Sequence, residues 1–320
     1  MVEFKGGRLP NDPSKPRLKL KNILRGAAFQ FPTSCDYVSK VADWPMYLND
    51  RYGDCTCATA GHIIEAVTTY GQGSTIKISD ADVLRAYEAV SGFNPSTGAN
   101  DNGAVVQDVL NYWRKTGIGG HKILAFAEVD VKNYDELYAA LALFGTLYLG
   151  IDFPNTAMDQ FDKGQPWDVV EGARSEGGHA INAGFYDSKD GLWKVITWGK
   201  VQPMTQAFWD KYVEEAWIVI SPEWLNANGT NSAGISAHEL NEQFRELTGQ
   251  PGPFPEAEPT PEPGPSPVNP SPTPEPPAPT PTPVDPDSLF EAQARKWLAR
   301  RPFFYRCFQR HLRTWLATRA

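Results

Sequence analysis

Between residues 251 and 287 the chain reads PGPFPEAEPTPEPGPSPVNPSPTPEPPAPTPTPVDPD, and this run constrains the architecture more than any other stretch. It holds 17 of the 28 prolines. Each proline removes a backbone donor and fixes φ, and the run offers almost no apolar side chain to bury, so it cannot fold on itself. The composition predicts an extended polyproline spacer at about 3.1 Å per residue, on the order of 100 Å long. The chain therefore divides into an N-terminal arm at 1–29, a folded body at 30–249, the spacer at 250–287 and a tail at 288–320.

Charge divides the same way. Eight Arg and Lys against the single acid Glu291 give residues 288–320 a charge of +7, which leaves −15 of the formal −8 for everything before them. An acidic body is a poor nucleic-acid binder, and it would be repelled from an anionic membrane. After Pro302, the sequence FFYRCFQRHLRTWLATRA (303–320) places Tyr305, Phe308, Leu312 and Trp315 or Leu316 on one helical face and Arg306, Arg310 and Arg313 largely off it. That pattern predicts an amphipathic helix docking on a protein partner or assembly rather than on membrane or nucleic acid. No stretch approaches 18 consecutive apolar residues and the N-terminus lacks an apolar core, so neither a transmembrane span nor a signal peptide is expected. Four cysteines are too few for a disulfide scaffold, which fits synthesis in a reducing, cytoplasmic compartment.

Within the body, helices come first. Asp54 is placed to cap a helix that runs to Gly71. Ser79 and Asp82 frame a capping box before ADVLRAYEAVSG, and AVVQDVLNYWRKTG forms a third helix ending at Gly117. KILAFAEVD reads as a strand, and Asn133 with Glu136 opens a fourth helix. The pattern then changes: TLYLGIDF, GHAINAGFYD, LWKVITWG and AWIVIS are strand-like, rich in β-branched and aromatic residues. Ser236 and Glu239 open a last helix that stops at Gly249. Helices followed by a mostly antiparallel sheet predict a two-layer α+β body.

The chemistry centres on NDRYGDCTCATAGH. A helix N-terminus favours a thiolate, and Cys55 stands at the first helical position. Cys57 is rotated from it by about 200°, so the two cannot share one role. That geometry also argues against a shared metal site, and no cofactor is expected. The base for Cys55 is His179 in EGGHAINAGFYD, where two glycines leave the ring approachable. His62 lies two turns along the helix, about 10 Å away, and is assigned to packing. His121 and His238 sit in loop and helix-start contexts. Trp198 is read as core, and Glu214 and Glu215 as a solvated helix turn.

Taken in order, these segments resemble the papain-like cysteine peptidase superfamily over residues 44–220. YGDCTCATAGH is similar to that family's nucleophile helix start, and NDNGAVVQDVLNYWRKTGI to its glycine-rich stretch and following helix. GGHAINAGFYD resembles the histidine strand, and VITWG the Asn-Ser-Trp-Gly strand. The resemblance implies Cys55 as nucleophile and His179 as base. It also implies Asn49, six residues before Cys55, as the oxyanion amide in place of the family's glutamine. Aligned by the motif's second cysteine, the nucleophile would be Cys57. The family's orienting asparagine aligns with Ile196, which leaves Thr197 as the nearest polar residue for that role. About 40 residues precede the core, and no prosegment is expected from them. Two functions follow. One is a cysteine hydrolase cleaving a peptide, isopeptide or peptidoglycan amide bond. The other is a catalytically degenerate structural or assembly protein of a bacterial or phage virion type, docked through its tail helix.

Overall fold

A computed structural model of the chain describes residues 5–15, 17, 19–20, 32–226, 229–230, 236–248, 251–252 and 254–255. These belong to the unit Met1–Glu258. The tail helix and nearly all of the spacer lie outside the described residues.

In chain order the elements are β1 (Arg8–Leu9), β2 (Ser34–Asp36), α1 (Cys55–Val67), α2 (Asp80–Ser91), β3 (Ala104–Val105) and α3 (Val106–Lys115). There follow β4 (Ala125–Val129), α4 (Tyr134–Phe144), β5 (Leu147–Pro154), α5 (Thr156–Asp162) and β6 (Ser175–Asp187). The last are β7 (Leu192–Thr197), β8 (Lys200–Thr205), α6 (Gln206–Tyr212), β9 (Val213–Ile220) and α7 (Ala237–Thr248). Seven strands form one sheet in the order β4-β9-β5-β6-β7-β8, with β2 pairing β6. Every pair in it is antiparallel. The body is α+β, a helical part followed by an antiparallel sheet.

Local sequence explains most of these elements. In α2 the Ser79 hydroxyl accepts from the Asp82 N–H while the Asp82 carboxylate takes the Ser79 N–H, a full capping box. Replacing Ser79 with alanine removes the hydroxyl's bond to the Asp82 N–H and keeps the one from its own backbone N–H, and urea unfolding should register a loss of about 1 kcal/mol. Asn133 caps α4 through the Glu136 N–H, and Ser236 accepts from the Glu239 N–H at 3.1 Å before α7. In α3, Val106, Val109, Leu110 and Trp113 recur at helical spacing and are all buried.

Helix α1 differs: every one of its thirteen residues is buried. Its small and apolar side chains allow it to run through the interior between the sheet and the other helices. Asp54 does not cap it by side chain. That carboxyl instead accepts from Asn49 Nδ2 at 3.0 Å, and burial holds it well above the usual carboxylate range.

Other features depart from the sequence reading, helices α5 and α6 among them. The third helix begins at Val106, because Ala104 and Val105 form β3 and pair in parallel with Arg8 and Leu9 of the arm. Strand β8 was not expected; its Pro203 fits there because β8 is at the edge of the sheet. Packed chain also continues past residue 249. The Phe254 ring is buried and lies 6.4 Å from that of Phe144. Asn241 brackets its backbone, donating to the Phe254 carbonyl at 2.9 Å and accepting its N–H at 3.0 Å.

Candidate active site

Two segments meet where α1 begins against β6. Cys55 opens α1, whose first N–H groups lack intrahelical acceptors and aim partial positive charge at its thiol. The backbone N–H of Ala180, the residue after His179, points at the Cys55 sulfur. Burial pushes this thiol up to about 12, against the pull of the Ala180 N–H and the Arg8 charge. Cys57 is buried with no exposure, and burial raises its thiol well above the ordinary value too.

His179 lies on β6 opposite Ile151 of β5. Its Nε2 is 2.7 Å from Thr197 Oγ1, so the hydroxyl and the imidazole stand together. The Trp198 indole stacks on the ring, with centroids 4.4 Å apart and planes inclined by 15°. Phe153 meets the same ring edge-on at 5.7 Å. Trp198 reaches this position through the β7–β8 hairpin, where it and Gly199 both take positive φ, 45° and 68°. Such a turn matches strand twist, and it accepts an unfavourable conformation at Trp198 to set the indole over the histidine. Burial depresses His179 to about 3. With the thiol raised and the imidazole lowered, the pair is neutral at pH 7 in this covered state.

Asn49 is buried two turns of chain before the thiol. Its Nδ2 donates to Asp54 Oδ1 at 3.0 Å and to the Tyr52 carbonyl at 3.3 Å, so both hydrogens are engaged inside the 49–54 loop. Two other histidines have partners of their own. His62 Nε2 is 2.8 Å from the Pro45 carbonyl and its ring packs on Trp44 and Tyr47. His121 pairs with Glu223. Among the described residues, no group of three or more His, Cys, Asp or Glu is placed to hold a metal ion. No described helix is long and apolar enough to cross a membrane.

The sequence marks residues 1–29 as an arm, and the structure shows where its described part is seated. Residues 5–15 run across this end of the body, and Gly7 is hydrogen-bonded to Gly178, the neighbour of His179, at 3.1 Å. Arg8 is 5 % exposed and sits 2.8 Å from Glu215, itself 3 % exposed. Glu214 and Glu215 are thus in β9, gripping the arm, rather than in a solvated helix turn. The only signal in the sequence was their alternation into AWIVI, which extends that strand backwards.

No protein-family model matches the sequence, and no curated protein matches it. Its structure, however, is similar to that of xylellain, a cysteine protease from Xylella fastidiosa, with a TM-score of 0.52 over 68 % of this chain and 96 % of that one. The fold is papain-like. At 14 % identity the likeness to xylellain is one of fold alone. A procathepsin B from Trypanosoma congolense follows at 13 % identity and a TM-score of 0.48, covering 68 % of this chain and 86 % of that one. A digestive procathepsin L from Tenebrio molitor stands at 12 % and 0.47, covering 64 % and 76 %.

Proposed function

We propose that the chain is a cysteine hydrolase that cleaves an amide bond through Cys55 and His179. The observation that carries this reading is the approach of the Cys55 sulfur to the backbone of Ala180, beside a histidine held by Thr197 and Trp198. If Nε2 gives its proton to Thr197 Oγ1, Nδ1 keeps the lone pair that accepts the thiol proton. The thiolate attacks the carbonyl carbon, and the oxygen gathers charge against the Cys55 N–H and an Asn49 N–H released from Asp54. Collapse of that intermediate breaks the C–N bond, with the imidazolium protonating the departing amine. Water, deprotonated by His179, then attacks the thioester, which releases the acid and restores the thiol.

Peptide, isopeptide and peptidoglycan amide bonds all meet this chemistry. The basic segment 303–320 belongs to the same reading as a docking element for a protein partner or assembly. A second reading, a catalytically silent assembly protein of virion type, draws on one observation: Cys55 and His179 are 1 % and 0 % exposed.

Alkylation separates them. With iodoacetamide on the folded chain between pH 5 and 9, read by peptide mass spectrometry, Cys55 should label faster than Cys57 at every pH. Replacing His179 with alanine should slow Cys55 by about tenfold and leave Cys57 alone. Equal rates at the two cysteines, unchanged by the His179 substitution, would end the hydrolase reading.

A further inference from the structure

The arm enters the body at its reactive end, and glycines set how closely it fits. A Cβ added to Gly7 would stand 2.1 Å from the Gly53 carbonyl oxygen, and one on Gly178 would stand 2.2 Å from that of Arg8. A Cβ on Gly103 would lie 2.3 Å from the carbonyl oxygen of Gly7. The obstructing atoms are all backbone, so no rotamer change relieves the overlap. Gly7 is held on both sides, donating to the Gly178 carbonyl at 3.1 Å and accepting the Ala104 N–H at 2.8 Å. Gly53 precedes Cys55 by two positions and Gly178 precedes His179 by one. The arm therefore bridges the loop that leads into α1 at Cys55 and the strand β6 that carries His179.

The walls of this slit are braced from inside. Asp101 Oδ1 accepts the Gly53 N–H at 2.8 Å and the Tyr87 hydroxyl at 2.8 Å. The Tyr87 oxygen in turn accepts the Gly103 N–H at 2.9 Å, and Tyr87 is fully buried. One step along, the Arg8 guanidinium enters an acidic recess: Nε is 2.8 Å from Glu215, and Nη1 donates to Glu214 at 2.6 Å and to the Ile151 carbonyl at 3.2 Å. Gly150 leaves room for it, since a Cβ there would lie 2.7 Å from Arg8 Cδ.

We infer that residues 5–9 form a strap seated in a peptide-binding slot, and that the vacated slot selects peptides with glycine at the place of Gly7 and a basic side chain at that of Arg8. This names the substrate class of the site and rests on the hydrolase reading for its catalytic consequence. Its two requirements come from different parts of the slot, the first from backbone walls and the second from a buried carboxylate.

The test uses the full-length chain. Gly7→Val should force the strap out by steric overlap, and Cys55 should then react with iodoacetamide at least about tenfold faster than in the wild-type chain. A fluorescein-labelled peptide EFKGGRLPN should bind the Gly7→Val chain, read by anisotropy, and should protect Cys55. Peptides EFKGARLPN and EFKGGELPN should each bind at least about tenfold more weakly. If Gly7→Val does not fold, Arg8→Gln carries the same readouts, because it loosens the strap and keeps the glycine. A folded variant whose Cys55 reacts no faster than that of the wild type would overturn the strap. Equal binding of the three peptides would overturn the selection. The hydrolase reading fails separately, if Cys55 opens to reagent and binds the peptide but its rate ignores His179→Ala.

Discussion

Replacing Arg8 with alanine should remove about 3–5 kcal/mol from the free energy that holds the arm on the body, because it strands a buried carboxylate. Glu215 is 3 % exposed and sits 2.8 Å from the guanidinium. It also accepts from Trp217 Nε1 at 2.7 Å and from Asn11 Nδ2. Burial raises the Glu215 carboxyl, and Arg8 is the charge that chiefly draws it back down. Without Arg8 the carboxyl must either take a proton or reach water, and the easier route to water is to lift the arm. Native-state hydrogen exchange should therefore show residues 5–15 losing protection first, ahead of β5 and β6. Adding Glu215→Gln should recover at least half of the loss, since it removes the stranded charge as well. A double variant no better than Arg8→Ala would mean that the pair contributes little. Glu214 is 52 % exposed, and its removal should matter little beside that of Glu215.

The second large effect lies at Glu65, in the middle of α1. It has no exposure and accepts from the Tyr47 hydroxyl at 2.6 Å. Burial pushes its carboxyl up to about 8, from an ordinary value near 4.5. A folded-state value above the unfolded one means that the folded chain binds the proton more tightly. The contribution to stability is complete below about pH 4.5 and is lost as pH rises through about 8. Glu65→Gln keeps an acceptor for Tyr47 and cannot ionise. Its urea unfolding curve should coincide with the wild type near pH 4.5 and be the more stable by on the order of 3–4 kcal/mol at pH 8. Parallel stability curves across that range would show that Glu65 is not the buried titrating group.

What could be read from the sequence is what local rules decide. The caps at Ser79, Asn133 and Ser236 each depend on residues three positions apart, and each forms. The alternation in TLYLGIDF and AWIVIS needs only a two-residue period to appear. The site divides along the same line. The position of Cys55 at a helix start is a local property, whereas Asn49 faces Asp54 because both are buried in one loop, which no spacing reveals. Helical phase could not separate Cys55 from Cys57 by exposure either, since α1 is covered on every side.

That residues 1–29 form an arm is legible in their composition, but the partners of that arm are not. Lys5-Gly-Gly-Arg8 has the composition of a surface turn, and its partners Glu214 and Glu215 lie over 200 positions away. Their charges suggested a solvated turn because the cation that neutralises them is at the other end of the chain. The early part of α3 was misjudged for the same reason: Ala104 and Val105 have helical company on one side, and only the arm makes them a strand. Trp198 was legible as core, and it is buried. Its second role, as the plate on which His179 rests, depends on a hairpin turn whose handedness only the folded strands impose.

Phe254 has a mechanical consequence. Tension applied to the chain beyond residue 255 would first meet the Phe254 ring under the body and the two amide bonds from Asn241. Helix α7 follows only after that clasp has given way. A partner pulling on the proline-rich segment would thus load one aromatic anchor in place of a helix end, and the site by β6 would be shielded from the strain.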